Sequence, residues 1–167
     1  AQIMIVDDVT VQRRHLKTLV EQHGHQVTPF RRINDCLAAL KSEKDSADVI
    51  ILNLAQDQAE LAGLLYSLQL TGRDIPDIGV AAGGGMNEVV QALRQGIFGF
   101  VIAPVSPERF YAVLHDALQV HRLVSRYSGK KSRSSAVSFL SFDAASDAMN
   151  RTLLLARKAS HNQLPVL

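Results

Sequence analysis

Acidic and amide side chains follow two short apolar runs at the points where these runs end. Asp7 and Asp8 come directly after Ile3–Val6, and Asn53 comes directly after Val49–Leu52. Paired carboxylates can bind a hard divalent cation, and a further carboxylate could act as a nucleophile toward a phosphoryl group. Asn53 is a carboxamide, which has neither the charge nor the nucleophilic oxygen. These positions therefore predict a polar site made of two carboxylates and one uncharged amide.

The elements that must position these side chains form a regular alternation. Apolar runs of strand length alternate five times with helical patterns. This alternation predicts a doubly wound α/β fold, a five-stranded parallel sheet covered by helices on both faces. The predicted strands are Ile3–Val6, Gln26–Phe30, Val49–Leu52, Ile78–Ala81 and Gly99–Ile102. The predicted helices are Val11–His23, Asn34–Ser42, Ala59–Leu70, Met86–Gln95 and a fifth from Pro107 onward.

Composition narrows the class of protein. The 167 residues are 47% hydrophobic and 20% charged, which is typical of a globular protein. The net charge of +2 is too small to indicate nucleic-acid binding by itself. No apolar run approaches a membrane span, and no signal-peptide pattern opens the chain. With Cys36 as the single cysteine, in an apolar helical setting, we expect a cytoplasmic protein with a buried structural thiol.

Several segments together resemble a response-regulator receiver domain of the CheY-like type, which has the flavodoxin-like strand order. They are "IMIVDD", "DIPDIGVAAG", "ALRQGIFGFVIAP" and "SPERF". The resemblance implies that Asp7 and Asp8 help bind magnesium. It also implies a phospho-accepting aspartate at position 53, a Thr or Ser at position 81 and a Lys at position 103. This chain has Asn53, Ala81 and Ala103 instead.

Each departure from the receiver pattern removes one chemical function. Asn53 cannot form an acyl phosphate, Ala81 has no hydroxyl, and Ala103 has no cation to neutralise a phosphoryl group. The changes are consistent with one another, because the loss of the lysine alone would leave crowded carboxylates without compensation. We therefore expect no catalytic residue and no cofactor here. A weak magnesium site at Asp7 and Asp8 and simple solvation of both acids stay open as alternatives.

Other polar residues give weaker signals. Asp57 could replace the missing acceptor, but it is better placed to begin a helix. The run Gly83–Gly85 does not have the spacing of a phosphate-binding loop. The histidines also have no recognised zinc spacing, so we expect no metal at His23, His25, His115 or His121.

The fifth helix has apolar residues at alternating spacings of three and four. These residues are Phe110, Val113, Ala117, Val120, Val124 and Tyr127. The spacing predicts a heptad seam, and hence a homodimer through this helix and the linker after it. A second face, formed by Leu114, Leu118 and His121, could pack on the sheet. For Phe110–Leu118 alone, the alternative is a single broad stripe that faces the core. The basic residues after Val120 could contact DNA, but a solvated linker is the commoner explanation for such a run.

The last residues carry a second resemblance. "SDAMNRTLLLARKASHNQLPVL" is similar to the opening of the AAA+ domain in NtrC-type activators of sigma-54 RNA polymerase. The P-loop would follow later, so we expect no enzymatic activity here and ATP binding only in a longer protein. The predicted division is a receiver-like domain at 1–122, a helical and basic linker at 123–137, and the start of the AAA+ domain at 138–167.

The predicted function is regulation within a two-component system. A degenerate receiver would control dimerisation of a sigma-54-dependent activator without aspartyl phosphorylation, and absent domains would contact DNA and the polymerase. Phe100 matches the receiver's switch aromatic. The alternatives are a module that binds a kinase or anti-activator through the face between the fourth and fifth helices, and a sensor of a ligand such as a cyclic dinucleotide. A nucleotide-binding flavodoxin-like enzyme is disfavoured, because no glycine loop follows the first strand. An engineered Asn53 is disfavoured too, since one change alone would block the site.

Overall fold

The computed structural model describes residues 1–42, 46–70 and 75–128. Most of the predicted linker and the whole predicted AAA+ segment lie outside these residues. The strands are β1 (Gln2–Val6), β2 (Gln26–Phe30), β3 (Val49–Asn53), β4 (Asp77–Ala81) and β5 (Gly99–Ile102). The helices are α1 (Thr10–Gln22), α2 (Ile33–Lys41), α3 (Gln58–Leu70), α4 (Met86–Gln95) and α5 (Pro107–Ser128). Every predicted bound lies within one residue of the observed bound.

The five strands form one parallel sheet in the order β2-β1-β3-β4-β5. This order confirms the predicted doubly wound fold of the flavodoxin-like and CheY-like type. Asn53 pairs with Val80 on β4, and Ala81 pairs with Ile102 on β5. The carboxyl ends of β1, β3, β4 and β5 therefore meet at one edge, where sites form in open parallel sheets.

The alternation of side chains along β1 shows how the sheet divides the core. Ile3 and Ile5 point toward one cluster, which also contains the buried residues of α1 and α5. Met4 and Val6 point toward the other cluster, which contains those of α2, α3 and α4. Both faces of the sheet are thus covered, as apolar parallel strands require.

Helix α4 ends as its sequence indicates. Gly96 adopts a left-handed conformation with φ 86°, and the N–H groups of Gly96 and Ile97 bond back to the carbonyls of Leu93 and Ala92. This backbone conformation is easy for glycine and strained for other residues. The tight end directs the chain immediately into the short segment before β5.

The prediction of a dimer seam along α5 is wrong for Phe110, Ala117 and Val120. Their exposed fractions are 0%, 0% and 8%, and Phe110 and Ala117 lie in the cluster beneath α1 and α5. Val113 is partly buried against the same cluster. These side chains pack inside the domain, so a partner helix cannot reach them while the domain is folded. The alternative of one broad stripe that faces the core describes the helix correctly from Phe110 to Leu118.

The next residue of the predicted seam is only partly buried. Val124 is half-buried, and the side chain of Tyr127 lies outside the described part of the structure. Leu114 and Leu118 are buried against the sheet as expected. Among the described helices, none combines the length and the apolar character that crossing a bilayer would require.

Candidate functional site

The amide of Asn53 joins the two acids at the carboxyl edge of the sheet. Its Nδ2 donates to Oδ1 of Asp7 at 3.1 Å and to Oδ1 of Asp8 at 3.0 Å. On the other side of the amide, the N–H of Ala55 donates to Oδ1 of Asn53 at 3.0 Å. An N–H can donate only to the oxygen of the amide, so this contact agrees with the placement of the NH₂ group toward the acids. One uncharged side chain thus donates both of its amide hydrogens to a pair of carboxylates.

Asp7 is the most enclosed of these groups. It is fully buried, with an exposed fraction of 0%, and its Oδ1 also accepts the N–H of Val9 at 2.8 Å. Its other oxygen, Oδ2, is buried and has no hydrogen-bond partner among the described residues. Burial raises the pKa of Asp7 and the charge of Asp8 raises it further, whereas the bonds from Val9 and Asn53 act in the opposite direction. Asp7 therefore favours its neutral form more than a solvated aspartate does.

The arrangement does not fit magnesium. A hard cation needs several oxygen ligands turned toward one point, and charged oxygens bind it best. Here the NH₂ group of Asn53 lies where the two carboxylates converge, and it presents hydrogens instead of an oxygen. The oxygen of Asn53 accepts the N–H of Ala55 instead. The geometry thus disfavours the residual magnesium site that the acid pair left open.

The ends of β4 and β5 provide no polar side chain to this edge. Ala81 is buried, and its carbonyl accepts the N–H of Ala103 at 2.8 Å. Ala103 is half-buried and is joined to Pro104 by a cis peptide bond. The structure therefore brings positions 7, 8, 53, 81 and 103 to one edge, with neither a hydroxyl nor an ammonium group to hold a phosphoryl group.

Two residues that the sequence did not single out fix the backbone of this edge. The side chain of Gln56 donates to the carbonyl of Val6 at 3.2 Å. The guanidinium of Arg13 donates to the carbonyl of Asp7. Both contacts join parts of the chain far apart in sequence or across a turn, and their spacing follows no periodic pattern that could have indicated them.

The remaining candidates have structural roles. Oδ1 of Asp57 accepts the N–H groups of Ala59 and Glu60 at 2.9 and 3.0 Å, so Asp57 caps the start of α3 as expected. Cys36 is buried, and burial raises the pKa of its thiol to about 12. Phe100 is half-buried and packs against the cluster beneath α2, α3 and α4. Across the described ranges, no three histidine, cysteine or acidic side chains are grouped closely enough to hold a metal ion.

A groove lies between α4, β5 and α5. Its volume is about 740 Å³, and its walls include Leu93, Phe100, Ile102 and Val113. Leu93 and Ile102 are 48% and 41% exposed, which is high for apolar side chains. The groove is also lined by charged residues of both signs, namely Arg94, Arg109 and Asp116. This combination of apolar walls and charged residues is typical of a surface that contacts another protein.

Comparisons with known proteins agree with this architecture. The chain is 30% identical over 123 residues to protein PilH of Pseudomonas aeruginosa, covering 71% of this chain and 98% of PilH. It is 28% identical over 119 residues to the transcriptional regulatory protein GlrR of Escherichia coli, but that match covers only 26% of GlrR. It is 25% identical over 122 residues to the C4-dicarboxylate transport transcriptional regulatory protein DctD of Rhizobium meliloti, again covering 26% of that protein.

Solved structures share the fold. A response regulator receiver domain protein from Clostridium thermocellum matches with a TM-score of 0.66 at 19% identity, covering 74% of this chain and 98% of that one. NtrX from Brucella abortus, in complex with ATP, matches with a TM-score of 0.70 at 22% identity, covering 90% of this chain and 33% of NtrX. The sequence pattern of the response regulator receiver domain matches residues 3–115. The chain belongs to the response regulator receiver domain family.

Proposed function

We propose that this receiver regulates a sigma-54-dependent transcription activator of the NtrC type and does so without phosphorylation of an aspartate. The sequence of the last residues, similar to the opening of an AAA+ domain, supports the class of activator. The partial matches to the transcriptional regulatory proteins GlrR and DctD support it too. The polymerase, DNA and ATP would be bound by domains outside this sequence, in the cytoplasm. This part of the protein would need no cofactor and would catalyse no reaction.

The observation that carries the proposal is the pair of hydrogen bonds from Asn53 to Asp7 and Asp8. In a phosphorylated receiver, a cation and a phosphoryl group must occupy this space. The amide already binds one oxygen of each acid, and position 53 offers no nucleophile. Ala81 has no hydroxyl and Ala103 has no ammonium group to hold a phosphoryl group. This edge of the sheet therefore favours a single conformation.

Control by assembly then depends on surfaces that remain exposed. The core position of Phe110, Ala117 and Val120 moves the proposed dimer contact away from the heptad seam. The groove between α4, β5 and α5 has exposed apolar walls, and residues of both charges line it. A second copy related by a twofold axis would pack its apolar wall against the apolar wall of the first copy. Because residues of both signs line the groove, basic residues of one copy would then face acidic residues of the other. We therefore propose a homodimer through this groove and α5.

The mass of the chain in solution, measured by light scattering, tests this proposal. We expect a dimer whose mass does not change when magnesium and beryllofluoride are added. Ile102→Lys should produce a monomer, because it places a charge on the apolar wall. Val11→Lys is a matched control, since Val11 is an exposed β-branched residue outside the groove. Equal masses for both variants would contradict the proposed contact.

A second candidate function is a module that binds another protein through the same groove without forming a dimer. Its apolar walls favour it equally well. Light scattering separates the two, because this candidate predicts a monomer at all concentrations. Ile102→Lys would then leave the mass unchanged and would abolish binding of the partner only.

A further inference from the structure

A small groove lies at the amino-terminal end of the sheet, opposite the edge that contains Asn53. Its volume is about 120 Å³, and it lies between the turn after α1, the start of β2 and one face of α5. Eight residues line it: His23, His25, Tyr111, Leu114, His115, Leu118, Gln119 and Arg122. His115, Gln119 and Arg122 are spaced i, i+4 and i+7, so they project from one face of the helix.

The groove collects groups that donate hydrogen bonds and can bear positive charge. Three imidazoles and one guanidinium line it, and none of its eight residues is acidic. Asp48 is an acid outside the groove whose charge acts on His25. The carboxylate of Asp48 is already engaged, by the N–H of Gln2 at 2.8 Å and by Nε2 of His121 at 3.2 Å. The charges in the groove thus have no carboxylate within its walls.

Two contacts give the groove a defined shape. The rings of His23 and Tyr111 stack with their centroids 3.5 Å apart and their planes at 26°. The hydroxyl of Tyr111 is held by the carbonyl of Leu19 at 3.3 Å. On the other wall, Nε2 of His115 lies 3.2 Å from Nε2 of Gln119. The aromatic stack therefore forms a fixed wall beside the helix face that presents the polar groups.

His25 shows that its surroundings disfavour further positive charge. Burial lowers the pKa of its imidazole, and neighbouring positive charges, among them those of His23 and Arg122, lower it further. A bound anion would reverse this repulsion, because it would face all of these groups at once. The same imidazoles do not satisfy the grouping that a metal ion needs, among the residues that the structure describes.

We propose that this groove binds a small oxyanion, a phosphate or sulfate group, between His25, His115 and Arg122. A groove of about 120 Å³ has room for a tetrahedral oxyanion, which is the size of a few water molecules. Arginine and imidazolium are the donors that bind such anions most strongly.

An anion in this position would join α5 to the turn after α1 and the start of β2. It would therefore act on the helix that leads into the linker, without any contribution from the edge that contains Asn53. This site is independent of the proposed function, but it would provide that function with an input other than aspartyl phosphorylation. The phosphoryl group could be free in solution or part of a larger molecule.

The test is a titration of the histidine ring protons by NMR at pH 5, well below the ordinary imidazole pKa of 6.5, because the lowered pKa of His25 means that it gains its charge only in more acidic solution. Sodium sulfate and inorganic phosphate are the probes, and sodium chloride at equal ionic strength is the reference. We expect saturable shifts at His25 and His115 with the oxyanions only. Arg122→Gln should weaken the affinity at least tenfold, whereas Arg31→Gln should leave it unchanged, because Arg31 is exposed, follows the far end of β2 and lines neither groove.

The possible outcomes distinguish specific binding of an oxyanion from a general effect of salt. Shifts that follow ionic strength with chloride as well as sulfate would overturn the proposal, and so would an affinity unchanged by both Arg122→Gln and His25→Asn. Unchanged amide spectra away from the groove would show that the variants fold. Methyl phosphate distinguishes the two sources: an affinity close to that of inorganic phosphate would indicate a phosphate ester, and a much weaker one would indicate the free anion.

Discussion

The side-chain amide nitrogen of Asn53 lies 3.1 Å from Oδ1 of Asp7, and both residues are almost fully buried. The same nitrogen lies 3.0 Å from Oδ1 of Asp8. An uncharged donor therefore holds together two acids that would otherwise repel each other at the sheet edge. This contact explains how the acid pair can be kept while the reactive carboxylate is absent.

Substitution of Asn53 tests the stabilising role of this amide. Asn53→Ala should lower the free energy of unfolding by about 1–3 kcal/mol, because it removes one of the two donors to Oδ1 of the buried Asp7 and the donor to Oδ1 of Asp8. Urea unfolding followed by circular dichroism measures the change. Asn34→Ala is the matched control, since the amide of Asn34 makes an exposed bond to Glu60, and its effect should stay within about 0.5 kcal/mol. Equal stability of both variants would show that the hydrogen bonds from Asn53 to Asp7 and Asp8 do not stabilise the fold.

Asn53→Asp should behave differently from Asn53→Ala. Three carboxylates would then crowd one edge without a donor, so the variant should be less stable than the native chain in the absence of metal. Magnesium should restore part of that stability, because the third carboxylate completes a set of charged oxygen ligands. The native chain should show no response to magnesium in the same unfolding experiment. A native chain that magnesium stabilises would contradict the description of this edge.

The burial of Asp7 predicts how stability depends on pH. Its pKa in the folded state is raised above the ordinary value of 3.8, so the folded state binds the proton more tightly than the unfolded chain. The resulting stabilisation is fully present below pH 3.8 and is lost as the pH rises through the folded-state pKa. Asp7→Asn cannot titrate, yet it keeps the acceptor oxygen for Val9 and Asn53. The stability of this variant relative to the native chain should therefore increase between pH 4 and pH 7. Parallel stability curves over this range would contradict it.

Most of the fold could be predicted because its signals are local. The alternation of apolar runs and helical patterns located all ten elements, and Gly96 marked the end of α4. The site could be predicted in part for the same reason: residues at strand ends meet in a parallel sheet. The hydrogen bonds from Asn53 to Asp7 and Asp8 could not be predicted, since they depend on the rotamer and the amide orientation of Asn53. Gln56 and Arg13 were missed because they donate to backbone carbonyls, which any side chain with a hydrogen-bond donor can do.

Gly79 tests the packing beneath this edge. A Cβ atom there would lie 2.7 Å from Cδ1 of Leu54 and 2.8 Å from Cδ1 of Ile97. Gly79→Ala should therefore lower the free energy of unfolding by about 1–3 kcal/mol through overpacking. Gly63→Ala is the control, because Gly63 lies within α3 with open space around it. That change should stabilise the chain by about 0.5–1 kcal/mol. If both substitutions had the same sign in urea unfolding, the close packing at Gly79 would be contradicted.

Helix α5 provides a test of the corrected role of its apolar residues. Phe110→Ala should lower the free energy of unfolding by about 3–5 kcal/mol, because it leaves a cavity between the sheet and the helix. Leu123→Ala, at an exposed position on the same helix, should change it by about 0.5 kcal/mol or less. Thermal unfolding at several protein concentrations measures both. A small effect of Phe110→Ala, or an effect seen only at high protein concentration, would contradict the burial of Phe110 inside its own domain and would support the dimer seam.

The spacing along α5 shows why the seam was predicted wrongly. Apolar residues at intervals of three and four occur on a helix that faces a partner and equally on one that faces its own sheet. Phe110 and Ala117 have that spacing, and so do Leu114 and Leu118 beside them. Together they form a stripe wide enough to cover one side of the sheet. Only the tertiary structure shows that the sheet, rather than a second chain, buries them.

The measurement that tests the central claim most directly is the NMR signal of the Asn53 side-chain amide during addition of magnesium and beryllofluoride. The bridge to Asp7 and Asp8 predicts that both amide proton signals stay unchanged, because no cation or phosphoryl mimic enters the edge. The variant Asn53→Asp/Ala81→Thr/Ala103→Lys provides the positive control, since it restores each lost group and its backbone signals near the edge should shift. Saturable loss or displacement of the Asn53 signals in the native chain would contradict the claim and would show that this edge still works as a switch.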